Sequence, residues 1–193
     1  MAALDAQAAR FIDEALRNDN NRLILERLPA LHLPDALLVA GCLFQTVWNL
    51  RSGRDATAGI KDYDLFYFDG DDLSEQAETS VGQRVQACFG DLGITVEAKN
   101  QARVHTWYRD WFGFSYPALV DSRDGIDRFL VPGTCVGLQP TPGGAPTLYA
   151  PYGLTELYEG VLRPNPRCDH RDLFRRKAES YRARWDWLRI DES

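Results

Sequence analysis

Long apolar runs are missing from this 193-residue chain. The opening MAALDAQAARFIDEAL is acidic and no membrane-length apolar segment follows it, so the expectation is a protein without signal peptide or membrane span. Positive charge is also in short supply. Lys and Arg number 22 against 28 Asp and Glu, a net charge of -6, which speaks against broad nucleic-acid binding while leaving room for a local basic patch. Cysteine is sparse and scattered: Cys42, Cys88, Cys135 and Cys168 lie 46, 47 and 33 residues apart. No pair has CxxC spacing, so neither a zinc knuckle nor a dithiol redox motif is signalled, and a reducing cytoplasm is the expected location. Internal repeats and a convincing linker are absent too. The expectation is one domain over 1–193, with 1–30 a helical N-terminal element and 171–190 a packing helix at the C-terminal end.

What is present suffices for a core: 45% of residues are hydrophobic, 11% aromatic and only 26% charged, which argues against disorder. Leu4, Ala8, Phe11, Ile12 and Ala15 recur at helical spacing, predicting a helix over 3–17, and a shorter one follows around Leu23, Ile24 and Leu28. The run from Ala36 to Leu50 begins as a buried strand or helical turn and becomes a helix near Gly41. Tyr63 to Phe68 reads as a strand of aromatic and aliphatic residues. Asp72 or Ser74 can cap the next helix, whose inner face includes Ala77, Val81, Val85 and Cys88. In GITVEAKN, Ile94, Val96 and Ala98 alternate with Thr95, Glu97 and Lys99, and QARVHTWYRDWFG is expected to continue that strand before turning. A short helix over 121–130, a hairpin pairing Val136 and Leu138 with Leu148, one capped helix in GLTELYEGVLRPNP stopped by Gly160 and Pro164, and a final helix with Phe174, Ala178, Tyr181, Trp185 and Leu188 as its stripe complete the reading. Strands separated by single helices indicate an α+β fold with a mixed sheet flanked by helices.

The segment GIKDYDLFYFDGDD, Gly59 to Asp72, places five aspartates around an apolar run. Residues two apart on a strand point the same way, so Asp62 and Asp64 share a face and repel. A divalent cation removes that cost: Mg²⁺ takes carboxylate and phosphate oxygens. Asp69, Asp71 and Asp72 read as a turn and helix cap instead, since the spacing of an EF-hand is missing. In VAGCLFQTVWN a small residue precedes a helix start, whose free N–H groups can hold phosphate oxygens. Glu97, on the polar face of another strand, could complete a metal cage or take a proton.

A Gly-small pair opening a helix, an Asp-x-Asp strand and a third acid on a later strand together resemble the nucleotidyltransferase superfamily with the polymerase-beta-like fold. VAGCLFQTVWN, KDYDLFYFD, EAKNQARVHTWY, APYGLTELYEG and VLRPNP more closely resemble a nucleotidyltransferase-like family of small bacterial proteins, from about Pro34 to the C-terminal helix. The resemblance implies that Gly41 and Cys42 cradle the triphosphate, that Asp62 and Asp64 bind the metal, and that Glu97 is the third acid. The chain departs from the pattern where Cys42 replaces a hydroxyl or glycine, and where a longer loop carrying Arg51, Arg54 and Lys61 separates Gly41 from Asp62. The implied chemistry is Mg²⁺- or Mn²⁺-dependent transfer of a nucleoside monophosphate from a nucleoside triphosphate, with Lys61, Lys99 and Arg103 as cationic stabilisers. Asn100, Gln101 and His105 are further ligand candidates, and Trp107 or Tyr108 could stack on a base. The expected acceptor is a small molecule or a protein rather than a nucleic acid. The alternative is a non-catalytic module that keeps the fold, or the fold with its nucleotide or metal affinity.

Overall fold

The computed structural model describes residues 2–168 and 170–192. Two helices open the chain, α1 (Ala2–Ala15) and α2 (Asp19–Arg27). Asn18 separates them, and its side-chain oxygen accepts the Asn20 N–H at 3.1 Å, a short polar residue capping a helix start. Phe11, Ala15, Ile24 and Leu25 bury the inner sides of this pair. The side chain of Leu4 lies outside the described residues.

Leu37–Val39 forms β1, the middle of a five-stranded sheet ordered β3-β2-β1-β4-β5. Strands β2 (Asp62–Tyr67) and β4 (Gly137–Gln139) run antiparallel to β1, β5 (Thr147–Tyr149) runs antiparallel to β4, and β3 (Thr95–Asn100) runs parallel to β2. All three residues of β1 are buried: Leu38 faces the main core, while Leu37 and Val39 join Ile126 and Cys135 on the other side. A strand covered on both faces shows no alternation, which is why Leu37–Val39 could equally be read as a helical turn. Helices α3 (Gly41–Arg51) and α4 (Glu75–Phe89) follow β1 and β2. The hydroxyl of Ser74 accepts the Ala77 N–H at 3.1 Å and starts α4, as expected. The mixed sheet with flanking helices is the expected α+β fold.

Three elements differ from the expectation. The third strand stops at Asn100, where the side-chain oxygen accepts the Ala102 N–H and turns the chain into α5 (Val104–Phe112). The stretch GLTELYEGVLRPNP holds α7 (Thr155–Glu159), stopped as expected at Gly160, which adopts φ 72°; what differs is that the chain then leaves as β6 (Val161–Leu162) before it reaches Pro164. The C-terminal helix, α8 (Arg171–Arg184), ends at Arg184 rather than running to 190; Trp185 and Leu188 are buried beyond it, and β7 (Arg189–Ile190) pairs with β6. The short helix expected over 121–130 is α6 (Ser122–Ile126).

Helix α8 is locked onto α3 by aromatic contact. Trp48 meets Tyr181 and Trp185 edge-on at 5.4 and 5.2 Å, and the Trp185 indole donates to Asn49 Oδ1 at 3.1 Å. Among the described residues no helix is long and apolar enough to cross a membrane.

Candidate active site

Strand β2 alternates as its sequence demands: Tyr63, Leu65 and Tyr67 are buried in the main core, and Asp62, Asp64 and Phe66 face the other way. In register with the parallel strand β3, Asp64 sits beside Glu97, Asp62 beside Thr95 and Phe66 beside Lys99. The three acids therefore share one face of two adjacent strands. Next to them opens a cleft of about 640 Å³, with Asp62, Asp64 and Lys99 in its wall. Glu97 stands on the same face but outside that wall, 3.5 Å from the Lys99 ammonium.

Burial is the first reason that the Asp64 carboxyl is pushed up to about 6, with the negative charges of Asp62 and Glu97 adding to it. Lys99 and Lys177 act in the opposite direction without cancelling the rise. Among the described residues the Asp64 carboxylate has no ion-pair or hydrogen-bond partner.

The N-terminus of α3 meets the cleft at Ala40 and Gly41. The N–H groups of Gly41 and Cys42 have no intrahelical partner, and no side chain caps them. Ala40 carries φ 61° and ψ -126°, a conformation that an L-residue with a Cβ adopts at a cost of roughly 1–3 kcal/mol. Its N–H is held by the Val136 carbonyl at 3.1 Å, and its own carbonyl accepts from Leu43 at 3.1 Å. At Gly41 a Cβ would stand 2.7 Å from Gln45 Nε2, so the glycine lets the Gln45 amide lie against the helix start. Gln45 lines the cleft, and its Oε1 is buried without a partner among the described residues.

The other candidates divide sharply. Cys42 lies fully inside the core, its thiol donating to the Val39 carbonyl at 3.4 Å and pushed up by burial. Its side chain does not reach the cleft; only its backbone belongs to the helix start. Lys61 is exposed and does not line the cleft. Asn100 is a clamp: its Oδ1 accepts the Asp69 N–H at 3.0 Å and its Nδ2 donates to the Asp69 carbonyl at 2.8 Å. Arg103 is committed to the Leu73 carbonyl and to an ion pair with Glu78. Because residues 104–112 are helical, Val104, Trp107 and Tyr108 face the cleft together, and His105 does not line it. Gln101 lines the cleft, with its Nε2 donating to the Lys99 carbonyl at 3.2 Å.

The opposite wall comes from segments with no obvious motif. Tyr116 packs against Tyr108 at 4.3 Å, and Arg128 and Arg167 are paired with Asp124 and Asp127 at 3.1 and 2.9 Å. Lys177 and Tyr181 of α8 close the side nearest Asp64. As they stand, no three His, Cys, Asp or Glu side chains among the described residues are grouped to hold a metal.

The family model of a nucleotidyltransferase family matches residues 26–190. A solved structure, an NMR structure that reveals a CCA-adding enzyme head domain, is 25% identical, with a TM-score of 0.72 over 88% of each chain. A tRNA-processing enzyme in an apo form shares the fold at a TM-score of 0.52 and 12% identity, over 91% of this chain and 43% of that one. A comparison with curated proteins gives no match. With most of its length matched, and with paired aspartates and a bare helix start beside one cleft, the chain belongs to the nucleotidyltransferase family.

Proposed function

We propose that this protein transfers a nucleoside monophosphate from a nucleoside triphosphate to a hydroxyl-bearing acceptor, with Mg²⁺ or Mn²⁺ as cofactor. The observation that carries the reading is the pair Asp62 and Asp64 on one strand face, at a cleft that also holds the α3 N-terminus. The donor set fits a hard cation. Mg²⁺ is ordinarily bound by one or two carboxylates plus substrate phosphates rather than by a cage of protein ligands, and the uncompensated Asp64 carboxylate is stabilised by a positive charge. The bound ion would supply charge neutralisation at the phosphates.

In this reading Asp62 and Asp64 would hold the ion, and the N–H groups of Gly41 and Cys42 take phosphate oxygens. The acceptor oxygen forms a bond to the α-phosphorus as the bond to the bridging α–β oxygen breaks, and pyrophosphate leaves with that electron pair. The acceptor proton passes to the carboxylates at the cleft edge, where Glu97 stands beside Asp64 but outside the cleft wall and pairs with Lys99 at 3.5 Å. Tyr108 and Tyr116, packed together at 4.3 Å, form the aromatic wall that a base or a planar acceptor would meet. The likeness to a CCA-adding enzyme head domain makes an RNA 3′ end one acceptor to assay alongside small alcohols and proteins.

The test is a titration of the pure protein with Mg²⁺ or Mn²⁺ and the four ribonucleoside triphosphates, followed by pyrophosphate release with each acceptor class. The double variant Asp62→Asn, Asp64→Asn is expected to abolish metal-dependent nucleotide binding and to lower pyrophosphate release by about 1000-fold, equivalent to ~4 kcal/mol of transition-state stabilisation. Intact metal-dependent affinity in that variant overturns the assignment of these residues. Affinity that disappears in the variant, with no pyrophosphate released by the wild type, favours a binding module.

A further inference from the structure

Most cations at the cleft are already engaged. Lys99 is paired with Glu97, Arg128 with Asp124, and Arg167 with Asp124 and Asp127. The His170 ring lies 3.7 Å from that of Phe114. Lys177 differs. It lines the cleft, and among the described residues it has no carboxylate within ion-pair distance; its ammonium stands 5.4 Å from the centre of the Tyr181 ring.

Its placement is rigid where it matters. On α8, Phe174, Ala178 and Tyr181 form the buried stripe, and Lys177 sits at the edge of that stripe, one turn before Tyr181. The same helix is bound to α3 through Trp48, Tyr181 and Trp185, and by the Trp185–Asn49 hydrogen bond. Arg184 adds a tie to the loop after α3, donating to the Gly59 carbonyl at 3.0 Å. The backbone stem of Lys177 is thus fixed relative to the bare N-terminus of α3, while four methylenes let the ammonium adjust. Lysine suits a charge that must follow a polyphosphate tail, whereas arginine suits a fixed planar fork.

We propose that Lys177 is the residue that anchors the terminal phosphates of the triphosphate. It receives the β- and γ-phosphates between α8 and the start of α3, which directs the nucleoside toward the Tyr108 and Tyr116 wall. This assignment rests on the nucleotidyl-transfer reading above. It gives the basic C-terminal helix a specific task at one position, with Arg176 and Arg182 left to the solvent.

The experiment measures Kd for Mg²⁺-ATP, Mg²⁺-tripolyphosphate and AMP, using the full chain and the variants Lys177→Met, Lys177→Arg and Arg176→Met. Thermal melts check that each variant is folded. Loss of one charge-assisted phosphate contact is expected to weaken ATP and tripolyphosphate by about 10- to 100-fold in Lys177→Met and to leave AMP within about twofold. Lys177→Arg should recover most of the loss, and Arg176→Met should match the wild type. Unchanged ATP and tripolyphosphate affinity in Lys177→Met, or an equal loss for AMP, overturns the Lys177 assignment while the transferase reading stands. A folded wild-type protein that binds neither triphosphate overturns both.

Discussion

Two half-buried carboxylates flank the β2–β3 pair, and they are treated in opposite ways. Glu78, on α4, accepts the Asn100 N–H at 2.8 Å with one oxygen and pairs with Arg103 through the other. Asp64, on the open face, has like-charged neighbours and no partner for its carboxylate among the described residues. Glu78 is satisfied from within the chain and stiffens it. Asp64 has no such partner among the described residues, and burial beside Asp62 and Glu97 pushes its carboxyl up. Unmet charge of this kind is found more often at functional sites than elsewhere, and the contrast sets a satisfied carboxylate on one side of these strands against an uncompensated one on the other.

The sharpest way to break the contrast is to remove the partner of Glu78. Arg103→Met leaves a largely buried carboxylate without its ion pair, and the expected loss is about 3 kcal/mol of folding free energy. A urea titration reads the change in midpoint. Nucleotide affinity of the folded fraction should stay within about twofold; a larger change would return Arg103 to the phosphate site.

Asp64→Asn should move stability the other way. The native carboxyl holds its proton up to about pH 6 against an unfolded value near 3.8, so the folded state binds more protons across that interval. Wild-type stability from this group is therefore lost as pH rises from about 4 to 6, and the deficit is complete above it. A neutral amide at this position escapes the deficit: the variant is expected to be up to about 3 kcal/mol more stable than wild type at pH 7.5, the gap closing toward pH 4. Adding Mg²⁺ with ATP should raise the wild-type melting temperature and leave that of Asp64→Asn unmoved. A variant less stable than wild type at pH 7.5 would mean that the carboxylate is satisfied after all.

The acid pair was legible because strand alternation is local: Tyr63 and Leu65 go inward, so Asp62 and Asp64 go outward together. The Gly41 helix start and the alternation of β3 were legible for the same reason. Asn100 is the last residue of β3 and turns inward with Ala98, while Arg103 and His105 stand apart from the cleft wall for a second reason. Extending β3 by its period misses the cap that Asn100 makes with the Ala102 N–H, and helical spacing then separates residues that a strand would have aligned. Cys42 was misplaced by a matching problem of another kind, since the residue after a helix-start glycine can turn its side chain to the core while its backbone stays at the site. Lys177 carried no local signal, because what singles it out is the absence of a carboxylate within pairing distance, a property of the folded neighbourhood. The α+β class needed none of these details and followed from element order alone.

The smallest effect lies at Ala40, where the site imposes strain on the backbone rather than on a charge. A positive φ of 61° with ψ -126° is open to glycine and costly for alanine, yet the sequence places the alanine one residue before its glycine. Ala40→Gly relieves the Cβ conflict and adds chain entropy to the unfolded state; at this conformation the relief outweighs the entropy, so a gain of about 1 kcal/mol is expected. The variant should melt a few degrees higher. If the strain holds the first N–H groups of α3 at the right angle to a polyphosphate, the same substitution loosens that angle, and tripolyphosphate affinity falls by about two- to fivefold while AMP affinity stays level. A melting gain with no change for either ligand would assign the strain to chain geometry at the β1–α3 turn, where the Val136 carbonyl fixes the Ala40 N–H.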